Sequence, residues 1–291
     1  MRAAAFTEPG PPDVLRILDV PTPTAGPGEV RVRVRAAGVQ PYDAAVRGGW
    51  TPAYLTDDDW PRIPGNEFAG VTDDGVEVLG YSTLKAYAEY VVVPADQVAA
   101  KPAAMPWEVA GGFSAGAQTA HIALQELNIG PGDTLLIHGA AGSVGTIAVQ
   151  LAGLAGATVI GTGSAANQDY LRSLGAIPVV YGDGLADRVR DHKPTAMLDG
   201  AGGAAYDLSL ELVQDRDRIL TLVEHDRAEG DGTRLVPFGR SNKRLAELAN
   251  LYAEGKLRFH VRRTVPLENA ADAHREIETG HGRGKLVLTL E

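Results

Sequence analysis

The stretch Asp133-Thr-Leu-Leu-Ile-His138-Gly-Ala-Ala-Gly142-Ser-Val-Gly145-Thr-Ile-Ala-Val-Gln-Leu-Ala152 decides the fold. Thr134 to Ile137 is an apolar run of strand length, preceded by the breaker Gly130-Pro-Gly-Asp133. Small residues and Gly142 then make a tight turn. Beyond it Val144, Ile147, Ala148, Leu151 and Leu154 recur at helical spacing. A buried strand that feeds a glycine-rich turn into a helix is the opening unit of a doubly wound parallel sheet.

The glycines of the turn have separate physical tasks. Gly142 lets the backbone approach a pyrophosphate with no side chain between, and Gly145 lets the helix pack close to the strand. The unpaired amides at the helix N-terminus face the phosphate charge. Ala140 stands where the first glycine of G-x-G-x-x-G belongs. Taken alone, the fragment could be a tight turn with no ligand. Its surroundings favour a dinucleotide: a second strand over 158–161, a helix over 165–174, Gly175-Ala176 and a third strand over 177–181 complete a βαβαβ unit.

An NAD site calls for an acid about twenty residues after the glycines, to hold the ribose hydroxyls. Here the second strand ends Ile160-Gly161-Thr162-Gly163-Ser164, and no acid appears before Asp169. Nothing there repels a 2′-phosphate. Ser164, Asn167 and Tyr181 can hydrogen-bond it, and Arg172 is the nearest cation in sequence. The expected cofactor is NADPH, although no basic residue sits at the strand end itself.

At 291 residues, 44% of them hydrophobic, the chain suits two domains. It contains no run of about eighteen apolar residues, so no transmembrane span is expected. The start, Met1-Arg-Ala-Ala-Ala-Phe6, lacks the apolar core of a signal peptide, so the expected location is the cytoplasm. With no cysteine, disulfides and thiolate zinc sites are excluded. A net charge of −10 disfavours nucleic acid and anionic membrane as partners. The histidines at 121, 138, 192, 225, 260, 274 and 281 show no metal-ligand spacing and read as packing or surface residues.

The segment before the nucleotide unit reads as mainly β. Short strands are expected over 2–6 and 15–20. Glu29-Val-Arg-Val-Arg-Val-Arg alternates strictly, so Val30, Val32 and Val34 face a core and the arginines face solvent. Asp74-Gly75 is a tight-turn signal between two strands. Residues 107–126 look helical, in two pieces around Gly111 to Gly116. The α/β pattern adds a fourth strand over 195–199, a fifth over 218–223 and an amphipathic helix over 241–254. A helix over 270–279 and a strand over 285–290 close the chain. One motif points elsewhere: Gly112-Phe-Ser114-Ala-Gly116 fits the nucleophile elbow of serine hydrolases. That elbow needs an apolar strand in front of it, and residues 107–111 are not one.

With these residues in view, the chain resembles the medium-chain dehydrogenase/reductase superfamily, in its zinc-free quinone oxidoreductase branch, the zeta-crystallin-like group. The resemblance rests on Gly38-Val39-Gln40-Pro41-x-Asp43, Pro64-Gly65-x-Glu67-Phe68-x-Gly70, Ala86-Tyr87-Ala88-Glu89-Tyr90 and Gln118-Thr119-Ala120. It continues with Ala140-Ala141-Gly142-Ser143-Val144-Gly145, Gly175-Ala176, Asp199 with Gly202-Gly203, Pro266-Leu267-Glu268 and Gly284-Lys285-Leu286-Val287-Leu288. The implied fold is α/β, a Rossmann doubly wound parallel sheet inserted into a β-rich GroES-like domain. The implied domains are 1–118 with 255–291, for substrate, and 119–254, for the dinucleotide. Zinc-dependent members hold metal with a cysteine and a histidine where this chain has Gln40 and Asn66, so no metal is expected. Two features depart from the group: the 71–80 hairpin is short, and the lysine that helps hold the 2′-phosphate in relatives is missing, with Asn167 and Gln168 in its neighbourhood.

The resemblance also assigns roles. Gln40 and Thr119 are expected near the nicotinamide ribose and ring. Gly142, Ser143 and Val144, with Ala141 in the same turn, are expected at the pyrophosphate. Ser164 and Tyr181 fall on the adenosine 2′ side, and Phe238 presents backbone to the carboxamide. Tyr42 and Tyr54 are candidate proton donors to a developing oxyanion, with apolar lining as their competing role. The implied activity is zinc-independent hydride transfer from NADPH to a quinone or an α,β-unsaturated carbonyl. An enoyl-thioester or tailoring reductase, and a non-catalytic NADPH-binding sensor, are the alternatives. A homodimer joined through the Rossmann sheet edge is expected. Residues 218–223 suit such an edge and suit a central strand equally.

Overall fold

Strict alternation of valine and arginine sets the first sheet. In the computed structural model, which describes residues 1–52 and 60–290, β1 (Arg2–Ala5) pairs antiparallel with β2 (Arg16–Asp19), and the alternating run becomes β3 (Glu29–Val39). Val32 and Val34 are buried and Arg33 is exposed, as a two-residue period requires. After α1 (Pro41–Arg47), β4 (Glu67–Thr72) and β5 (Glu77–Tyr81) form the short hairpin, with Gly75 at φ +88° in its loop. β6 (Tyr90–Pro94) and β7 (Val98–Ala100) complete the strands of this segment.

Residues 107–126 form one continuous helix, α2 (Trp107–Glu126), rather than two pieces. Its glycines are points of close approach. A Cβ on Gly111 would lie 2.6 Å from the Ala36 carbonyl carbon, and one on Gly112 would lie 2.8 Å from Lys285 Cγ. The same helix disposes of the hydrolase elbow, since Ser114 is buried within its third turn.

The glycine-turn segment folds as a strand–helix alternation. In order come β8 (Thr134–His138), α3 (Ser143–Leu154), β9 (Thr158–Gly163), α4 (Gln168–Ser173), β10 (Ile177–Val180) and α5 (Leu185–Arg190). They are followed by β11 (Ala196–Asp199), α6 (Ala204–Leu212), β12 (Ile219–Thr221), α7 (His225–Asp231) and β13 (Arg234–Leu235). The strands make one parallel sheet in the order β10-β9-β8-β11-β12-β13, the order of a Rossmann sheet. Leu135, Leu136 and Ile137 are all fully buried, as expected of a parallel strand covered on both faces. The strand within 218–223 is internal: β13 pairs with β12 and takes the edge position.

The tail supplies α8 (Asn242–Ala253), β14 (Val261–Pro266), α9 (Ala270–Glu278) and β15 (Lys285–Thr289). β15 runs antiparallel to β3, with Val287 opposite Gly38, so the chain's end joins the sheet of its beginning. One compact unit comprises Met1–Ala115, Ser241–Glu254 and His260–Glu291, and the other Gly116–Arg240 and Gly255–Phe259. Residues 241–254, expected with the nucleotide segment, thus group with the β-rich unit. There α8 buries Leu245, Leu248 and Ala249, and Tyr252 meets Phe113 edge to face at 6.0 Å. The fold class is α/β, a parallel Rossmann-type sheet together with a β-rich domain.

Candidate functional site

In the parallel sheet the strand order reverses between β8 and β11, and ligands of such sheets bind outside the carboxyl ends of the strands at that point. The two strand ends nearly touch: a Cβ on Gly139 would stand 2.9 Å from the Gly200 carbonyl oxygen. Gly142 is the N-cap of α3 and brings no side-chain cap. The amides of Ser143, Val144 and Gly145 therefore have no acceptor inside the helix, and they carry the positive end of its dipole. Gly145 is required on packing grounds, since a Cβ there would fall 2.4 Å from Gly139 O and 2.5 Å from Ala140 Cα. Ala140 fits where the motif usually has glycine because Gly161 faces it from β9. A Cβ on Gly161 would come within 3.1 Å of the Ala140 methyl.

A second strand–glycine–helix turn, Gly200-Ala-Gly-Gly203 before α6, has the opposite character. Asp199 Oδ1 accepts the N–H groups of Ala201 (2.9 Å) and Gly202 (2.8 Å). Its Oδ2 accepts the Thr221 hydroxyl at 2.7 Å, and Thr221 Oγ1 in turn accepts the N–H groups of Val223 and Glu224. Glu224 Oε1 takes the Gly203 N–H at 2.5 Å. Carboxylates thus take the amides of Ala201, Gly202 and Gly203, whereas no side chain caps the turn before α3. An uncapped, side-chain-free cradle on one side of the switch point and an acid-lined turn on the other fit a dinucleotide held by its pyrophosphate at Gly142.

His138, at the end of β8, is a cross-link within this unit. Its Nδ1 lies 3.0 Å from Thr162 Oγ1 and its Nε2 3.1 Å from Ser209 Oγ. Ser209 donates its own proton to Ala205 O, so Nε2 carries the imidazole hydrogen. Burial lowers its pKa to about 4, partly offset by Asp199.

Ser164, Asn167 and Tyr181 gather where β9 and β10 end. Asn167 Nδ2 donates to Ser164 Oγ at 3.1 Å, and Tyr181 N–H donates to Gly163 O at 3.3 Å, leaving the Tyr181 ring exposed. Gln168 Nε2 donates to the carbonyls of Gly163 and Ser164 and braces the same corner. Arg172, the nearest cation in sequence, pairs with Asp169 at 2.5 Å on the exposed face of α4. Thr119 lies on α2, half-buried, three residues beyond Gly116, whose Cβ would sit 3.1 Å from Ser143 O. Ala141 is buried in the turn, while Ser143 and Val144 are half-buried. Phe238 follows β13 and is fully exposed.

The β-rich unit carries a buried polar cluster built from residues far apart in sequence. Gln40, at the end of β3, donates its amide to Asn66 Oδ1 and, at 3.4 Å, to Glu67 Oε1. Glu67 Oε1 pairs with the Lys285 ammonium at 2.5 Å, and its Oε2 accepts the Ala115 N–H at 2.6 Å. Asp43 accepts the Gly65 N–H (3.1 Å), the Gln40 N–H (3.0 Å) and the Tyr87 hydroxyl (3.0 Å). Burial pushes the Asp43 pKa up to about 6, against the pull of Lys285 and these donors. The Tyr87 hydroxyl is raised well above its usual range by burial and by Asp43. Asp43, Glu67 and Lys285 stood in the recognised motifs, but nothing in the local sequence signalled their mutual contact. Among the described residues no group of three or more His, Asp or Glu gathers as a metal site.

Tyr42, on α1, packs against the apolar core and meets Trp50 edge to face at 5.4 Å. Its hydroxyl is buried without a hydrogen-bond partner among the described residues. Tyr54 lies outside the described residues.

Comparison with known proteins agrees with this geometry. Residues 26–82 match the alcohol dehydrogenase GroES-like domain, and residues 174–288 match a zinc-binding dehydrogenase family. The quinone oxidoreductase from Coxiella burnetii is 30% identical, with a TM-score of 0.89 over 100% of this chain and 99% of that one. The chloroplastic NADPH-dependent alkenal/one oxidoreductase of Arabidopsis thaliana is 28% identical over 99% of this chain and 79% of its own length. The pikromycin polyketide synthase component PikAII of Streptomyces venezuelae is 32% identical over 91% of this chain. The chain spans only 8% of that synthase, and 6% of the synthase GfsB of Streptomyces halstedii. With its switch-point cradle, its β-rich partner domain and these relatives, the chain belongs to the medium-chain dehydrogenase/reductase superfamily, a family of nicotinamide-dependent oxidoreductases.

Proposed function

We propose that this chain transfers hydride from NADPH to a quinone or an α,β-unsaturated carbonyl, without zinc. The carrying observation is the uncapped Gly142 turn at the strand-order reversal, together with a second strand, β9, that is followed by Ser164 and no acid before Asp169. The quinone oxidoreductase and alkenal/one oxidoreductase relatives support the acceptor class. In this reading the amides after Gly142 hold the pyrophosphate, with Ala141, Ser143 and Val144 shaping the turn. Ser164, Asn167 and Tyr181 receive the adenosine 2′ side. Gln40, oriented by Asn66 and Glu67, and Thr119 serve the nicotinamide end, and the Phe238 backbone serves its carboxamide. Bound NADPH supplies the hydride. Tyr42 and Tyr54 are the side chains proposed to donate a hydrogen bond to the acceptor oxygen. The buried, unpartnered Tyr42 hydroxyl supports that role, since an unsatisfied buried donor is costly without one. We assign the substrate role to the β-rich domain and the dinucleotide to the Rossmann domain, and place the enzyme in the cytoplasm as a homodimer.

The match to polyketide synthases favours one second reading, an enoyl-thioester reductase. Fluorescence titration with NADPH and NADH, then addition of 1,4-benzoquinone, 9,10-phenanthrenequinone, a simple enone or a crotonyl thioester, separates the two. Rapid NADPH oxidation with quinone or enone supports the first reading, and oxidation with the thioester alone supports the second. Failure to bind either nucleotide overturns both.

A further inference from the structure

The parallel sheet ends at β10 on one side and at β13 on the other. An edge strand offers unpaired N–H and C=O groups to any extended chain, including the same strand of a second copy. β10 has the composition of such a template. Ile177-Pro-Val-Val180 runs into Tyr181 without a charge, and Ile177, Val180 and Tyr181 are 38%, 38% and 49% exposed. Its pairing shows which groups face outward. Tyr181 N–H donates to Gly163 O, and Val180 lies opposite Gly163 in the register. In a parallel pair alternate residues bond to the neighbouring strand. The N–H and C=O of Val180 therefore point away from β9, as does the C=O of Pro178 two residues earlier. Pro178 has no N–H to offer. Arg188, from α5, closes the other outward position. Its Nε and Nη2 donate to Val180 O at 3.3 and 2.9 Å, its Nη1 donates to Asp183 O at 2.8 Å, and Nη2 reaches Gly182 O at 3.4 Å. Carbonyl acceptors hold a guanidinium in place without neutralising its charge. Among the described residues Arg188 forms no ion pair, and its side chain is exposed.

We infer that Arg188 guards the β10 edge: its guanidinium occupies the outward Val180 carbonyl and fixes a positive charge there, which keeps β10 from pairing with β10 of a second copy. Proline and arginine act on neighbouring outward positions of one short strand, the first by removing a donor and the second by covering an acceptor. An incoming strand would have to displace the fork from its carbonyls and bury a permanent charge against the new chain. Two copies meeting edge to edge would also bring two such charges together. Growth of the parallel sheet is thereby directed to its other edge, β13.

The test compares wild type, Arg188→Ala, Arg190→Ala and the double variant Arg188→Ala with Val180→Pro by sedimentation velocity over a range of concentrations. Hydrogen exchange of the Val180 amide is followed in the same samples. Alanine is the best helix former, so α5 should survive the change, and thermal melts check each variant. Arg190, exposed on the same helix, controls for the loss of one positive charge. The expected result is that Arg188→Ala sediments at multiples of the wild-type mass while Arg190→Ala matches wild type. In the associated form the Val180 N–H should exchange about tenfold more slowly or beyond, because a second strand now accepts it. Val180→Pro removes that last outward donor and should return the double variant to the wild-type mass. Arg188→Ala that keeps the wild-type mass overturns the inference. So does equal association of Arg190→Ala, which would make the effect one of net charge. Association that leaves Val180 exchange unchanged, or that survives Val180→Pro, would place the contact elsewhere and overturn it too. If alanine unfolds the loop, Arg188→Gln, which also removes the fork, repeats the comparison.

Discussion

The Lys285 ammonium sits 2.5 Å from the Glu67 carboxylate, and both side chains are almost wholly buried. The second carboxylate oxygen is engaged by the Ala115 N–H, and Lys285 is the cation that balances the carboxylate's charge. Breaking one side of such a pair leaves a buried charge alone. Lys285→Met is expected to lose about 3–5 kcal/mol of unfolding free energy. Glu67→Gln with Lys285→Met should lose less than the two single changes added, because neither charge is then stranded. Urea denaturation of the three variants measures this, and strict additivity would show that the pair is not coupled.

Asp43 makes stability depend on pH in a sense unusual for an acid. Its folded pKa is about 6, raised by burial from an ordinary carboxylate value of 3.8. The fold therefore holds the proton more tightly than the unfolded chain does. The stability that this group contributes is complete below about 3.8 and is lost as pH rises through about 6. Wild type should lose stability relative to Asp43→Asn as pH is raised from 4 to 7. His138 works the other way, contributing above the ordinary imidazole value of 6.5 and failing as pH falls through about 4, but it is common to both proteins and cancels. A flat difference across that range would mean that Asp43 is ionised throughout.

Two glycines of the same turn should respond differently to a methyl group. At Gly145 the added Cβ meets backbone at 2.4 and 2.5 Å, which cannot move cheaply. Gly145→Ala is expected to lower stability by about 1–3 kcal/mol. At Gly142 the nearest atom would be Gly139 O at 3.3 Å, a tight contact but not an overlap, so Gly142→Ala should lose less stability than Gly145→Ala. Its expected defect is weaker NADPH binding, because the methyl stands where the pyrophosphate must approach. Thermal melts paired with nucleotide titration separate the two effects, and unchanged binding in Gly142→Ala would place the phosphate elsewhere.

Removing the Tyr42 hydroxyl should cost no stability, since it has no hydrogen-bond partner among the described residues to lose. If it donates to the acceptor oxygen, Tyr42→Phe lowers kcat/KM by about tenfold or more with little change in the NADPH dissociation constant. Steady-state kinetics with a quinone and an enone decide the matter. Unaltered kcat/KM for both would leave Tyr42 as core packing beside Trp50.

The sequence alone determined the elements whose signals are local. The β8–turn–α3 unit was legible because an apolar run, a breaker and helical spacing fall within twenty consecutive residues, and β3 because its valines alternate strictly. The absence of an acid after β9 was equally plain. What depended on residues meeting from distant parts of the chain was decided only by tertiary structure. Ala140 is tolerated because Gly161 faces it across the sheet. Gly111 and Gly112 mark close packing against Ala36 and Lys285, so a helix that looked broken is whole. β12 is internal because a two-residue strand, too short to show a period, pairs beyond it. Glu67 and Lys285 carry no sign of each other until β15 is laid beside β3. Hydrophobic periodicity is written along the chain, whereas charge pairing and steric room are properties of the space that the folded chain encloses.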